Sequence, residues 1–330
     1  PKAPGTREQL PSAKPSPADA DVRQQHVASR PATDAPEPSR GPAPAGRPGA
    51  KRLKRRSSAV AVLRGGRGAV QLTAATSGSQ FQIELRAKRR VLLCGLWKVS
   101  LRCDDHSLAP VSHWRTVLRH RDADGDYLEL ELVLAEQVRL QRHIFLAKRD
   151  RIAFLADAVI ADQPARLQYQ ATWQLAKEVR VEPAQENWEC YLRSAKRRAV
   201  VLPLALPEWR CQTERGQLLA ADGAMVLSQT RSGRCLMAPL FVDLKRRRFR
   251  RRITWRRLTV AEALSAQNDD VAVAYRVAVG KRQWLIYRAL AYCANRTVLG
   301  HNLVSEFLLA RFYRSGKVKP LIEIAPVGDQ

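Results

Sequence analysis

The stretch LKRRRFRRRITWRR, Leu244 to Arg257, sets nine Lys or Arg into fourteen residues without one acid. Cations at this density pair with phosphate, sulfate or carboxylate groups, and Arg interleaved with aromatics, here Phe249 and Trp255, suits single-stranded nucleic acid. Lys245, Arg246, Arg247, Arg248, Arg250, Arg251, Arg252, Trp255, Arg256 and Arg257 are therefore the candidate polyanion-binding residues. The competing reading is a solvated connection. Apolar strings flank the run on both sides and its aromatics do not share a helical face, so it reads as a charged loop between strands.

Other chemistry-bearing residues form weaker constellations. CDDHSLAPVSHW brings Cys103, Asp104, Asp105, His106 and His113 together, but their irregular spacing lacks the paired ligands of a structural zinc site and reads as a solvated loop. DADGD, Asp122 to Asp126, lacks the length and terminal Glu of a calcium loop and reads as an Asp-Gly hairpin turn. No metal and no cofactor is expected. RGGRG, ending at Gly68, lacks the strand and Lys-Ser/Thr of a phosphate-binding loop and reads as a flexible linker, and neither GxSxG nor HExxH occurs. An acid–base mechanism would draw on His143 or Tyr169 beside Arg142, the catalytic candidates, but one sequence does not place them within reach of each other. The sequon Asn295–Thr297 reads as chance.

The formal charge of +26 in 330 residues raises the local concentration of any polyanion around the protein. It says nothing about fold, and a compositional excess of Arg would produce the same value. Length and 45% hydrophobic content allow a sizeable core without disulfides or metal staples. The six dispersed cysteines lack any CxxC pair and read as reduced thiols, which leaves the compartment unknown with a slight lean to the cytoplasm. No apolar run is long enough to span a bilayer, so a soluble protein is expected. The chain begins at Pro1, which is compatible with a trimmed start.

Composition divides the chain near residue 57. Eleven of nineteen prolines lie at or before Pro48, and the first aromatic residue is Phe81. Such a segment buries too little apolar surface to offset its ordering entropy, so residues 1–57, ending in KRLKRR, read as a disordered Pro-rich basic tail. Residues 58–330 read as one domain of short strands. DVAVAYRVAVGKRQWLIYRAL alternates and breaks at Gly280–Lys281, a β-hairpin. GDYLELEL, then VRLQRHIFLA and RIAFLADAVI about a turn at Lys148–Asp150, continue the series. ARLQYQATWQL, RRAVVLPLAL, GQLLAADGAMVLSQT and GRCLMAPLFVDL follow, with turns expected at Asp222–Gly223 and Ser232–Gly233. FLLARFYRSGKVKPLIEI closes it as a hairpin about Ser315–Gly316. LTVAEALSAQ has capping-box spacing from Thr259 to Glu262 but also alternates, so helix and strand both stay open. The fold class is all-β: a large antiparallel β-sandwich of stacked sheets behind a disordered basic tail.

Over about fifty residues, Tyr127 to Leu175, this order resembles the all-β C-terminal domain of heparinase II/III-like polysaccharide lyases. The resemblance rests on a strand led by Arg142, a turn at Lys148–Asp150, a strand ending at Asp157 and a long outer strand from Leu167 to Leu175. It implies a stacked-sheet domain that handles acidic polysaccharide. The catalytic region is not matched: the residues before 80 cannot form the family's helical toroid, and the His301–Asn302 pair lies near the C-terminus rather than near the start of the β domain. The expected function is a non-catalytic binding or structural module for acidic polysaccharide or another polyanion. A basic RNA- or DNA-associated protein, and a polysaccharide lyase or related carbohydrate-active enzyme, are the alternatives. The oligomeric state stays open.

Overall fold

The computed structural model describes residues 58–211 and 213–326. The tail expected over residues 1–57 lies outside the described residues. The rest is all-β and stacked, with no α-helix among the described residues. In chain order the strands of the first sheet begin with β1 (Ser58–Gly65), β2 (Val70–Ser77), β3 (Gln80–Ala87) and β4 (Arg90–Cys103). They continue with β5 (His106–Ser107), β6 (Arg115–Arg121), β7 (Gly125–Val133), β8 (Arg139–Ala147) and β9 (Ile152–Leu175). The sheet is completed by β10 (Arg180–Pro183), β11 (Cys190–Arg193), β12 (Arg197–Pro203), β13 (Gly216–Ala221) and β14 (Ala224–Asp243).

β9 is where this sheet divides. Its first half pairs with β8, its second half with β4, and β14 runs antiparallel along nearly all of it. The turn expected at Ser232–Gly233 does not reverse the chain. Gly233, at φ 142°, a conformation costly for other residues, instead lets β14 bend where its register with β9 shifts. The two sequence segments on either side are consequently one strand, as are those joined in β9. RGGRG is likewise no flexible linker: Gly66–Gly68 is a tight 3-10 turn joining β1 to β2, with Arg67 N–H donating to Lys148 O at 2.8 Å.

β15 (Ile253–Leu258), β18 (Ala272–Val279), β19 (Arg282–Ala289), β22 (Phe307–Phe312) and β23 (Val318–Ile324) form a five-stranded sheet. Between them, β16 (Ala261–Glu262), β17 (Ser265–Ala266), β20 (Arg296–Val298) and β21 (His301–Leu303) make a small four-stranded sheet. LTVAEALSAQ thus forms strand rather than helix, with Ala263 and Leu264 at φ 47° and 65° in the tight turn. Apolar residues of this small sheet, Val260, Val298 and Leu303, pack on Leu285, Tyr287 and Leu308 and cover part of the five-stranded sheet's outer face.

β8 is buried along almost its whole length because both of its faces are covered. Antiparallel strands usually alternate buried with solvated positions; one packed on two sides reads as a continuous buried run. Arg142 faces the β3–β4 side, where its guanidinium lies 3.7 Å from the Trp97 ring centroid and 4.6 Å from those of Phe81 and Trp114. It donates two hydrogen bonds to Asp157, at 2.8 and 2.9 Å, and Tyr169 Oη donates to the same carboxylate at 2.8 Å. A bidentate pair with aromatic stacking is the arrangement that makes a buried charge tolerable. His143, one residue on, faces the five-stranded sheet and stacks on Phe307.

Removing only one partner leaves an uncompensated buried charge. Arg142→Met is expected to cost about 3–5 kcal/mol. Arg142→Met/Asp157→Leu/Tyr169→Phe, which removes every polar group of the cluster, is expected to cost less. Urea denaturation of both variants checks the order.

Candidate polyanion-binding groove

The basic stretch is divided by its own apolar residues. Leu244, Phe249, Ile253 and Trp255 are buried, and Trp255 Nε1 donates to Leu206 O at 3.0 Å. Arg246–Arg248 form a 3-10 turn between β14 and β15, so the run is a strand connection. Within it Arg248 turns inward: Nε and Nη2 each hydrogen-bond to Asp243 at 2.6 Å, and Nη2 also donates to Asp150 O at 2.7 Å. Arg248 and Trp255 are therefore core residues and not surface contacts, which corrects the sequence expectation for those two. Arg257 alternates away from Arg256 on the strand and pairs with Asp269.

Arg246, Arg247, Arg250, Arg251, Arg252, Arg256 and Arg257 are exposed, and Lys245 is half-buried. Burial, reinforced by the like charges of Arg248, Arg282 and Arg151, lowers the Lys245 ammonium below its ordinary range.

Arg252 leads into a groove of about 470 Å³ on the part of the outer face that the small sheet leaves open. β15 contributes Thr254, Arg256 and Leu258, β18 contributes Arg276 and Ala278, and Gly280 in the turn closes one end. Arg256 stands directly opposite Arg276 in the β15–β18 register. Like charges in that position destabilise a sheet, and no acid lines the groove. Glu208 senses Arg256 and Arg252, though burial is the larger influence on it and raises its carboxyl. Arg276 is held by donating from Nε to Gln283 Oε1 at 2.8 Å, with its guanidinium 5.3 Å from the Phe312 ring centroid.

Sequence reasoning overlooked Arg276 because it is a lone cation in DVAVAYRVAVG. Its only signal was parity: in an alternating strand it occupies a polar-face position, and the hairpin partner then decides what it meets.

The catalytic candidates do not converge. Arg142 and Tyr169 share one buried cluster, while His143 projects from the opposite face of β8, and all three are buried. Burial and Asp157 push the Tyr169 hydroxyl well above its ordinary range, so it remains a donor. His143 Nδ1 lies 2.8 Å from Tyr127 Oη, and that hydroxyl donates its one proton to Glu129 Oε2 at 2.8 Å. Nδ1 therefore carries the ring proton. Arg288 completes the network, donating to Gln141 Oε1 at 2.8 Å and pairing with Glu306 at 2.6 Å. This Tyr–His–Glu arrangement has acid–base residue types but no access for a substrate, and it joins two layers of the core.

The carboxylates of the suspected metal loops are engaged in turns. Asp104 Oδ1 accepts from Arg166 N at 2.7 Å, and Asp122 Oδ1 from Asp124 N and Gly125 N at 2.8 and 2.7 Å. Among the described residues no three His, Cys, Asp or Glu group around a common point, and no helix is long and apolar enough to cross a membrane.

No protein-family model matches the sequence, and no curated protein matches it. Solved structures do align. A heparan sulfate lyase HepC mutant from Pedobacter heparinus is 12% identical over 67% of this chain and 39% of that chain, at a TM-score of 0.46. A heparinase III gene product is 10% identical over 70% of this chain and 40% of that one, also at 0.46. A putative aldose 1-epimerase from Escherichia coli K12 is 8% identical over 57% of this chain and 99% of that one, at 0.36. The chain spans about two fifths of the lyases' length. Values this low assign neither family nor activity.

Burial first, then the positive charge of Arg288, hold His143 well below the ordinary imidazole range. The unfolded chain then takes up a proton that the folded chain refuses, so stability is lost as pH falls below about 6.5. His143→Phe, which keeps the stack on Phe307, is expected to lose less stability than the wild type between about pH 7 and about pH 5.5, by up to about 1.4 kcal/mol per pH unit. Chemical denaturation across that window measures the difference.

Proposed function

We propose that this protein is a non-catalytic module that binds acidic polysaccharide along the groove of Arg252, Arg256 and Arg276 and the exposed arginines leading into it. One observation carries the reading: Arg256 and Arg276 face each other across paired strands with no acid between them. That arrangement costs stability in the free protein, and a sulfate or carboxylate bound between the two guanidinia would relieve it. Discrete anionic groups on a sugar chain suit such bidentate contacts.

Single-stranded nucleic acid needs exposed rings for its bases to stack upon. Phe249 and Trp255 are buried, but Trp209, 54% exposed, lines one recess with Arg256 and Arg257, so the choice of glycan rests on the opposed guanidinium pair and not on a lack of exposed rings. The two bases that a lyase reading would draw on, His143 and Tyr169, lie inside the core.

Titration with heparin, single-stranded RNA and a neutral glycan at several salt concentrations tests the proposal. Heparin is expected to bind most tightly at low salt, because binding releases its condensed counterions. Arg252→Gln/Arg256→Gln/Arg276→Gln is expected to reduce the salt slope by about three, one for each cation removed. A charge-matched control, Lys88→Gln/Arg89→Gln/Lys177→Gln, is expected to change it little. Equal losses in both triple variants would assign the binding to diffuse net charge and reject the groove. Tighter binding of RNA than of heparin would reject the choice of glycan.

A further inference from the structure

A second positively lined cavity lies at the bend of β14. Its volume is about 480 Å³. One wall is the large sheet, with Gln229, Arg231, Leu236 and Met237. The other is the five-stranded sheet, with Arg257, Val273 and Tyr275, and the loop carrying Asp269 closes over it. Arg215 stands at the entrance, where it is exposed.

Three guanidinia thus meet a single lining carboxylate. Asp269 accepts from Arg231 Nη1 at 2.7 Å and also pairs with Arg257. Burial, and for Arg257 next the like charge of Arg215, works against the charged forms of Arg257 and Arg231. Asp269, and Asp270 as the main opposing charge on Arg231, stand against three guanidinia and offset part of the local charge. The Asp269 carboxylate lies between two guanidinia, where a ligand oxyanion would make the same contacts.

The polar inventory extends beyond charge. Gln229 is 6% exposed, yet its Oε1 has no partner among the described residues, and Arg231 Nε is also buried without one among them. Buried polar atoms are nearly always paired, and an unmet one is costly. An unmet acceptor and an unmet donor beside surplus cations fit a ligand that carries hydroxyls as well as an oxyanion. Tyr275, Val273, Leu236 and Met237 supply the apolar floor on which such a body can rest.

We propose that this cleft binds a sugar monoester of a tetrahedral oxyanion, a phosphate or a sulfate. Arg215, Arg231 and Arg257 would hold the oxyanion, and Gln229 Oε1 would accept from a sugar hydroxyl. The site is separate from the groove: Arg256 and Arg257 project from opposite faces of β15, and the two cavities share no lining residue.

The test is calorimetric titration of the full chain with glucose 6-phosphate, glucose 6-sulfate, glucose and inorganic phosphate. At least one ester is expected to bind saturably and more tightly than inorganic phosphate, with glucose alone weakest. The ester that binds identifies the oxyanion. Arg257→Gln is expected to weaken that ester about ten- to hundredfold, the effect of one lost charge-assisted hydrogen bond. Arg257→Lys, which keeps the charge, serves as the fold control. Gln229→Leu is expected to weaken the ester but not inorganic phosphate, whereas Asp269→Asn, which removes the internal competitor, should tighten both. The groove triple variant should bind the ester like the wild type whether or not it still binds heparin. The proposal is overturned if neither ester saturates the wild type, or if Arg257→Gln and Gln229→Leu both bind the ester unchanged.

Discussion

A middle layer covered on both faces is the constraint on which this structure depends. β7, β8, the first half of β9 and the second half of β14 are buried nearly throughout, so no polar group there can rely on water. Its buried charges find partners inside the protein, across a layer boundary, across a strand pair or, for Asp243, in the turn that follows β14. Arg142 meets Asp157 and Tyr169 against the aromatic rings of β3 and β4. On the other side Arg288 of β19 reaches Gln141 of β8. At the β8–β9 turn, Asp150 accepts from Trp284 Nε1 at 3.1 Å and Arg311 Nε at 2.7 Å. Although burial acts to raise it, hydrogen bonds and charge from Arg311 bring the Asp150 carboxyl below its ordinary range.

Those contacts decide what the basic stretch can present. Arg248 is committed to Asp243 and to the Asp150 carbonyl, which anchors the connection to the same turn that docks the five-stranded sheet. The remaining arginines are therefore displayed from a fixed base. A displayed guanidinium on a rigid strand loses less entropy on binding than one on a free tail. Net charge alone attracts polyanions; fixed spacing is what could discriminate among them.

Periodicity made the all-β class legible, because alternation in DVAVAYRVAVG and DYLELEL reports strands irrespective of tertiary context. The hairpin about Gly280–Lys281 lies where alternation stops. Less legible was how segments join. Ser232–Gly233 has turn composition, yet composition does not reveal whether a glycine reverses a chain or bends it, since that depends on the register between β9 and β14. Every cation of the basic stretch is a binding candidate by formal charge, which does not show which arginine has a buried carboxylate nearby. Asp243 lies five residues from Arg248, but the pair forms only because the intervening chain closes a 3-10 turn. Arg276 was invisible for the converse reason: it matters through Arg256, twenty residues away and directly opposite.

β15 brings these threads together. In a strand, successive side chains take opposite faces, so the adjacent Arg256 and Arg257 are delivered to different environments by one segment. Arg257 meets Asp269 inside a cleft that exists because β14 bends. Arg256 stands opposite Arg276, with Glu208 as its nearby carboxylate, on a face that the small sheet fails to reach. Identical residues in sequence thus differ in charge balance, one partly neutralised and one opposed by its own kind. A one-residue slip of β15 would exchange them and expose Trp255, and the Trp255 hydrogen bond to Leu206 holds against that slip. The same indole that fails as a stacking surface for nucleic acid therefore sets which arginine faces which cavity.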